Sequence, residues 1–248
     1  MTTGTWAGTR IGDYRCERFL GAGGMGEVYQ AVDVRTGSAV AIKVLTTARR
    51  DPALVKRFRN EARIHAALDH PNIGRMYQFL DGPDAPCIVM EYVSGETLEQ
   101  RLRRGPLPLA EALRLADALV AAVGHMHSHR VLHRDIKSTN VKVTENGVLK
   151  LLDFGIAKDA GSPALTADGS VIGTLHSLAP EQLLGVPADR RSDIWALGVV
   201  LYEMFTGRYP FGDGNVEEIT DRIRAGRYLP ATRVTAGLPG RIDAVLGR

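Results

Sequence analysis

The hydrophobic pattern changes period at about Gly95, and few folds accommodate that change. Before it, Phe19-Leu20, Val28 to Val34, Val40 to Leu45 and Cys87 to Tyr92 are short β-branched and aromatic runs, with Thr36-Gly37 as a hairpin turn. One helix interrupts them: Asp51-Pro52 reads as an N-cap with proline at the first helical position, and the helix runs to about Leu68 before Pro71 stops it. After Gly95 the pattern is helical. Leu109, Leu113, Ala116, Val120 and Val123 recur at steps of three and four, predicting a long amphipathic helix that ends near His129. Two short strands, Val141 to Val143 and Leu149 to Leu152, flank a turn at Glu145-Asn146-Gly147. Ile194 to Phe205 is apolar except at Gly198 and Glu203, the signature of a buried helix too short for a bilayer. The expectation is an α+β chain with a small antiparallel β lobe carrying one key helix, a hinge over 91–95, and a larger, mainly helical lobe.

Composition narrows the function. The 248 residues suffice for one large domain or two small lobes, and the net charge of +3 gives no reason to expect nucleic acid as a partner. No apolar run reaches the roughly 18 residues of a membrane span. Cys16 and Cys87 lack metal or redox spacing, and Met1 to Arg10 has neither a signal-peptide nor a transit-peptide pattern. A reduced, cytoplasmic location is expected.

Gly21, Gly23 and Gly26 form G-x-G-x-x-G, a weak pattern on its own that fits a dinucleotide-binding turn, a plain glycine-rich turn or a phosphate-covering hairpin. A dinucleotide site needs a helix directly after the glycines. Glu27 to Val32 is strand-like instead, which favours the hairpin and disfavours a nicotinamide-dependent oxidoreductase. Lys43 follows Val40-Ala41-Ile42 on the next strand. On the helix from Asp51, Leu54, Phe58, Glu61, His65 and Leu68 form one stripe, so Glu61 lies mid-stripe and needs a cation, for which Lys43 is the candidate. The strongest signal is His133-Arg134-Asp135-Ile136-Lys137 with Asn140, followed by Asp153-Phe154-Gly155. Phosphoryl transfer needs oxygen ligands for Mg²⁺ and a carboxylate beside the incoming hydroxyl; Asn140 and Asp153 supply the first and Asp135 the second.

With these motifs the sequence resembles the bacterial eukaryotic-like (Hanks-type) serine/threonine protein kinases, from about Tyr14 to the end, with residues 1–13 as an extension. The resemblance implies a bilobal protein-kinase-like fold (lobes 14–90 and 96–248) that transfers the γ-phosphate of ATP to protein Ser/Thr hydroxyls, its own included. It implies that Leu20, Gly21, Ala22, Gly23, Gly24, Met25, Gly26 and Val28 cover ATP, that Lys43 grips the α- and β-phosphates, and that Glu61 orients Lys43. Ala41, Met90 as gatekeeper, Glu91, Val93 and Lys142 would surround the adenine. Asp135 would orient or deprotonate the acceptor, Lys137 would stabilise the transferring group, and Asn140 and Asp153 would hold Mg²⁺. Ala179-Pro180-Glu181 resembles the close of the activation segment, and Asp193 the acid that anchors the catalytic loop. Lys137 and Gly173-Thr174 have the Ser/Thr form.

Some positions depart from the pattern. Ser138 stands where proline is usual, an exchange expected to be harmless, and Ser177 stands where tyrosine is usual, which opens peptide specificity. Lys142 replaces an apolar floor, its methylene stem serving instead. His65 is expected as a neutral packed imidazole. No catalytic position is lost, which favours an active enzyme over a binding module of the same fold. Phosphorylation is expected at Thr166, then Ser170, with Ser162 and Thr174 as further hydroxyls. Glu181 is expected to lack its usual arginine, from a reading in which the chain stops short of a complete C-terminal lobe.

Overall fold

The computed structural model describes residues 6–23, 26–46, 52–81, 85–153 and 175–247, without the side chains of 52–54, 57 and 61. The chain divides into two compact units, Met1–Ser94 and Gly95–Arg248.

The first unit is an antiparallel sheet with one helix. Its strands are β1 (Arg10–Ile11), β2 (Tyr14–Gly23), β3 (Gly26–Asp33), β4 (Ala39–Val44), β5 (Met76–Asp81) and β6 (Pro86–Glu91), in the order β1-β2-β3-β4-β6-β5. The short run at Phe19-Leu20 is part of the ten-residue β2, whose irregularities at Cys16/Arg18 and Phe19/Gly21 break its alternation and hide its length from the sequence. Helix α1 (Pro52–Ala66) packs on β5. Tyr29, Ala31, Val40, Ile42 and Val44 point to one face of the sheet, where they form a core with Ile11, Tyr14, Cys16, Cys87 and Val89. The pleat therefore turns Val28, Ala41 and Lys43 to the other face. Both cysteines are free, and burial pushes their thiols up, Cys16 to about 11 and Cys87 to about 12.

The second unit contains a small sheet, β7 (Glu96–Thr97), β8 (Val141–Val143) and β9 (Leu149–Leu151), and the helices α2 (Leu98–Leu102), α3 (Leu109–Ser128), α4 (Arg190–Thr206), α5 (Val216–Arg224), α6 (Ala231–Val234) and α7 (Arg241–Leu246). Helix α3 has the expected bounds, and its inner face keeps Ala116 and Val123 of the expected stripe but is otherwise different. Leu113 and Val120 are exposed, and Ala112, Leu115, Ala116, Leu119, Ala122, Val123 and Met126 are buried. The helix is apolar over two adjacent arcs, and the expected stripe follows the outer one. Helix α4 is buried along most of its length, as its uniform apolarity requires; Asp189 caps its N-terminus by accepting from Arg191 N–H, and Gly207 ends it in the left-handed conformation. Among the described residues no helix is long and apolar enough to cross a membrane.

Candidate active site

In the first unit, strand register gathers the residues named from the sequence. Gly21 pairs with Val28, Val28 with Lys43, and Lys43 with Ile88, so these residues form one cross-strand row. The neighbouring row is Gln30, Ala41 and Met90. Residues paired across antiparallel strands share a face, so Val28, Lys43, Ala41 and Met90 lie on a single surface of the sheet. The hairpin is closed by Ala22 opposite Glu27 and Gly23 opposite Gly26.

Gly26 must be glycine: its φ is +155°, and a Cβ there would lie 1.8 Å from the carbonyl oxygen of Val44. Gly21 and Gly23 differ, because a Cβ on either would meet no atom of the described residues within 4 Å. Leu20 beside them is exposed. Glu91 donates its N–H to the Arg75 carbonyl at 2.8 Å and accepts the Arg75 N–H on its carboxylate at 3.0 Å. The Val93 side chain is buried. Gly24, Met25 and the Glu61 carboxylate, with the expected Lys43–Glu61 pair, lie outside the described residues.

In the second unit the segment 133–140 is held by hydrogen bonds at almost every residue. Asp193, buried on α4, accepts the backbone N–H of His133 at 2.9 Å and of Arg134 at 2.8 Å, and its Oδ2 lies 2.9 Å from His127 Nε2. Arg134 takes φ +65°, a conformation costing about 1 kcal/mol or more for a non-glycine residue, and the two bonds to Asp193 hold it there. His133 is fully buried. Its Nδ1 accepts the Asp135 N–H at 3.2 Å, so its Nε2 carries the proton and donates to the Leu152 carbonyl at 3.0 Å. Both ring nitrogens are thereby committed to the neutral form, in keeping with burial, which lowers its pKa.

The Asp135 carboxylate is placed by its neighbours. Asn140 donates from Nδ2 to the Asp135 carbonyl at 2.8 Å and to Asp135 Oδ2 at 2.9 Å, and Lys137 Nζ lies 3.2 Å from the same Oδ2. The Asn140 carbonyl accepts the Leu152 N–H at 2.8 Å, and Val141 pairs with Leu151, so Asn140 and Asp153 emerge at the same end of the β8–β9 pair. Asp153 has φ +52°. Asn140 donates only through Nδ2 in these bonds, and its Oδ1 is a hard oxygen donor. Among the described residues no group of three His, Cys, Asp or Glu side chains forms a protein-only metal cage. An amide oxygen and one or two carboxylates suit Mg²⁺, which is ordinarily held by few protein ligands together with substrate phosphates.

Lys142 sits on β8 opposite Thr97 and Lys150. Glu181 accepts a hydrogen bond from Ser192 Oγ at 2.7 Å. Ser138 also has a partner, since its Oγ donates to Glu203 Oε2 at 2.9 Å. Sequence reasoning missed that contact, although a carboxylate inside an apolar helix signals a buried partner as plainly at Glu203 as at Glu61. Phe154, Gly155, Ser162, Thr166, Ser170, Gly173 and Thr174 lie outside the described residues.

Comparison with known proteins settles the family. The protein kinase domain model matches residues 14–235. The chain belongs to the protein kinase domain family. It is 39% identical over 242 residues to serine/threonine-protein kinase PrkC of Bacillus subtilis, covering 96% of this chain and 37% of that protein. It is 42% identical over 214 residues to serine/threonine-protein kinase PknA of Mycobacterium tuberculosis, with 83% and 50% covered. Against serine/threonine-protein kinase PknB of Mycobacterium leprae the identity is 39% over 241 residues, with 94% and 39% covered. The chain therefore spans between about a third and a half of the length of these curated relatives. The α+β architecture of this kinase domain is the one the sequence led us to expect, and the family to which it belongs uses ATP, typically with Mg²⁺.

Proposed function

We propose that this domain is a Mg-ATP-dependent serine/threonine protein kinase that transfers the γ-phosphoryl group of ATP to protein hydroxyls, including those of its own activation segment. The observation that carries the reading is the Asp135–Lys137–Asn140 constellation, in which one carboxylate oxygen receives both an amide N–H and an ammonium while the two residues before Asp135 are pinned through their backbone by Asp193. Asp135 receives or orients the proton of the attacking Ser/Thr hydroxyl. As the O–P bond to the acceptor forms and the bond to the β-phosphate oxygen breaks, Lys137 offsets negative charge on the moving group. Asn140 and Asp153 are the residues that would hold Mg²⁺, which neutralises phosphate charge when bound.

In the first unit Lys43 serves as a fixed positive charge for the α- and β-phosphates, with Glu61 as its orienting partner. Residues 20–26 and Val28 are the phosphate-covering hairpin, and Ala41, Met90, Glu91 and Val93 are the adenine contacts. The open space over Gly21 and Gly23 supports that role, because backbone N–H groups approach phosphate only where no side chain intervenes. We place the reaction in the cytoplasm, where ATP is available, whether the domain acts alone or within a longer, membrane-anchored protein.

The test is transfer of label from γ-labelled ATP. Wild-type chain is expected to label Ser and Thr, with Thr166 and Ser170 as the first sites on itself, and Lys43→Met is expected to lower transfer at least about a hundredfold while the thermal melt is unchanged. Equal incorporation by both chains would overturn the assignment.

A further inference from the structure

The catalytic segment is tied at its start by Asp193, and a second, independent contact lies near its end. Ser138, one residue past Lys137, is buried and donates to Glu203 Oε2 at 2.9 Å. Asp193 and Glu203 stand ten residues apart on the same helix α4, about 15 Å along its axis at 1.5 Å per residue. One rigid element thus grips both ends of the stretch that carries Asp135 and Lys137.

The second grip lies beside an aromatic stack. Tyr209 follows the same helix by three residues, and burial pushes its hydroxyl up to about 12. A serine hydroxyl has one proton, and Ser138 gives it to Glu203. The Tyr209 ring in turn stacks on His176, with centroids 4.0 Å apart and planes 1° from parallel. His176 belongs to the segment that leads into Ala179-Pro180-Glu181 and is buried there. Glu99 on α2, itself paired with Arg103 at 3.0 Å, adds negative charge near Glu203 and Tyr209. A proline at 138 would have no hydroxyl, so this contact exists because serine stands there.

We infer that Ser138 and Glu203 act as positioning residues for the phosphoryl transfer proposed above, fixing the C-terminal end of the catalytic segment as Asp193 fixes its N-terminal end. Neither touches the reacting atoms in this role; both act through the backbone that carries Asp135, Lys137 and Asn140. The inference rests on the kinase reading for its consequence and on the buried geometry for the tether itself.

Two measurements on Ser138→Ala and Ser138→Thr test it, with wild type alongside: kcat and KM for ATP in the transfer assay, and amide hydrogen exchange across 133–141. Loss of one buried hydrogen bond corresponds to about a three- to tenfold change. Ser138→Ala is expected to lower kcat by that factor with KM for ATP within about twofold, and to speed exchange across the segment by a similar factor. Ser138→Thr keeps the hydroxyl and is expected to retain both wild-type values. Wild-type kcat in Ser138→Ala, with or without faster exchange, would overturn the positioning role. A fall in kcat without faster exchange would overturn the tether as its route. A wild-type chain that transfers no phosphate sinks the kinase reading instead, and the exchange comparison then still decides the tether.

Discussion

The catalytic segment 133–140 and the glycine hairpin 21–26 are held by opposite means. The segment is fastened from behind by buried polar groups, Asp193 under Arg134 and Glu203 under Ser138. Among its described residues the hairpin has a backbone ladder and one close approach, at Gly26, and no described atom lies within 4 Å of a Cβ built on Gly21 or Gly23. A carboxylate that must meet a hydroxyl within a few tenths of an ångström needs a fixed backbone, and buried hydrogen bonds supply that rigidity. A loop whose task is to let backbone N–H groups near phosphate needs empty space instead.

Removing the Asp193 carboxylate should have the largest effect. Asp193→Ala strands two backbone N–H groups and leaves the left-handed Arg134 unsupported, at about 1–3 kcal/mol per buried donor. A loss of about 3–5 kcal/mol is expected in urea unfolding of the second unit, and a loss under 1 kcal/mol would show that the loop does not depend on this acid. The hairpin should respond at one glycine and hardly at another. Gly26→Ala drives a Cβ into the Val44 carbonyl oxygen and is expected to cost about 2–4 kcal/mol. Gly23→Ala meets no atom of the described residues and should cost less than about 1 kcal/mol. Equal melting temperatures for the two variants would erase the distinction.

The two units should also differ in pH response. In the first, the thiols of Cys16 and Cys87 and the Tyr29 hydroxyl are all pushed up to about 11 or 12, beyond the neutral range. In the second, burial raises the Glu203 carboxyl from 4.5 to about 8 and lowers His176 from 6.5 to about 4. The folded state holds the Glu203 proton more tightly than the unfolded chain, so this stability is complete below about pH 4.5 and is lost as pH rises through 8. His176 acts in the reverse sense, its contribution complete above about pH 6.5 and lost as pH falls towards 4. Between pH 6.5 and 8 only the Glu203 slope remains of these two. The second unit is therefore expected to lose about 2 kcal/mol across that interval, and Glu203→Gln to flatten the curve. Trp195 fluorescence in a Trp6→Phe background reports that unit alone, and a flat wild-type curve would remove the assignment.

Legibility in the sequence followed the same division. The strand carrying Ala41 and Lys43 and the run from His133 to Asn140 could be read because chemistry restricts which residues stand at those spacings. The inner face of α3 could not, since two apolar arcs compete and periodicity does not say which neighbour will cover which. Strand β5 went unrecognised because it is an edge strand with little buried surface. The Ser138–Glu203 contact joins residues 65 positions apart, and only packing brings them together; the sequence offers a buried acid in need of a donor and leaves the donor unnamed.

The most direct measurement is single-turnover transfer from γ-labelled ATP to a Ser/Thr acceptor by wild-type chain and by Asp135→Asn, with Mg²⁺ present. Asp135→Asn removes the proton acceptor and keeps the side chain's shape. The wild type is expected to transfer label, and the variant to be slower by about a hundredfold or more, the usual contribution of a positioned general base. Equal rates in the two, or no transfer by the wild type, would contradict the assignment of phosphoryl transfer to this site.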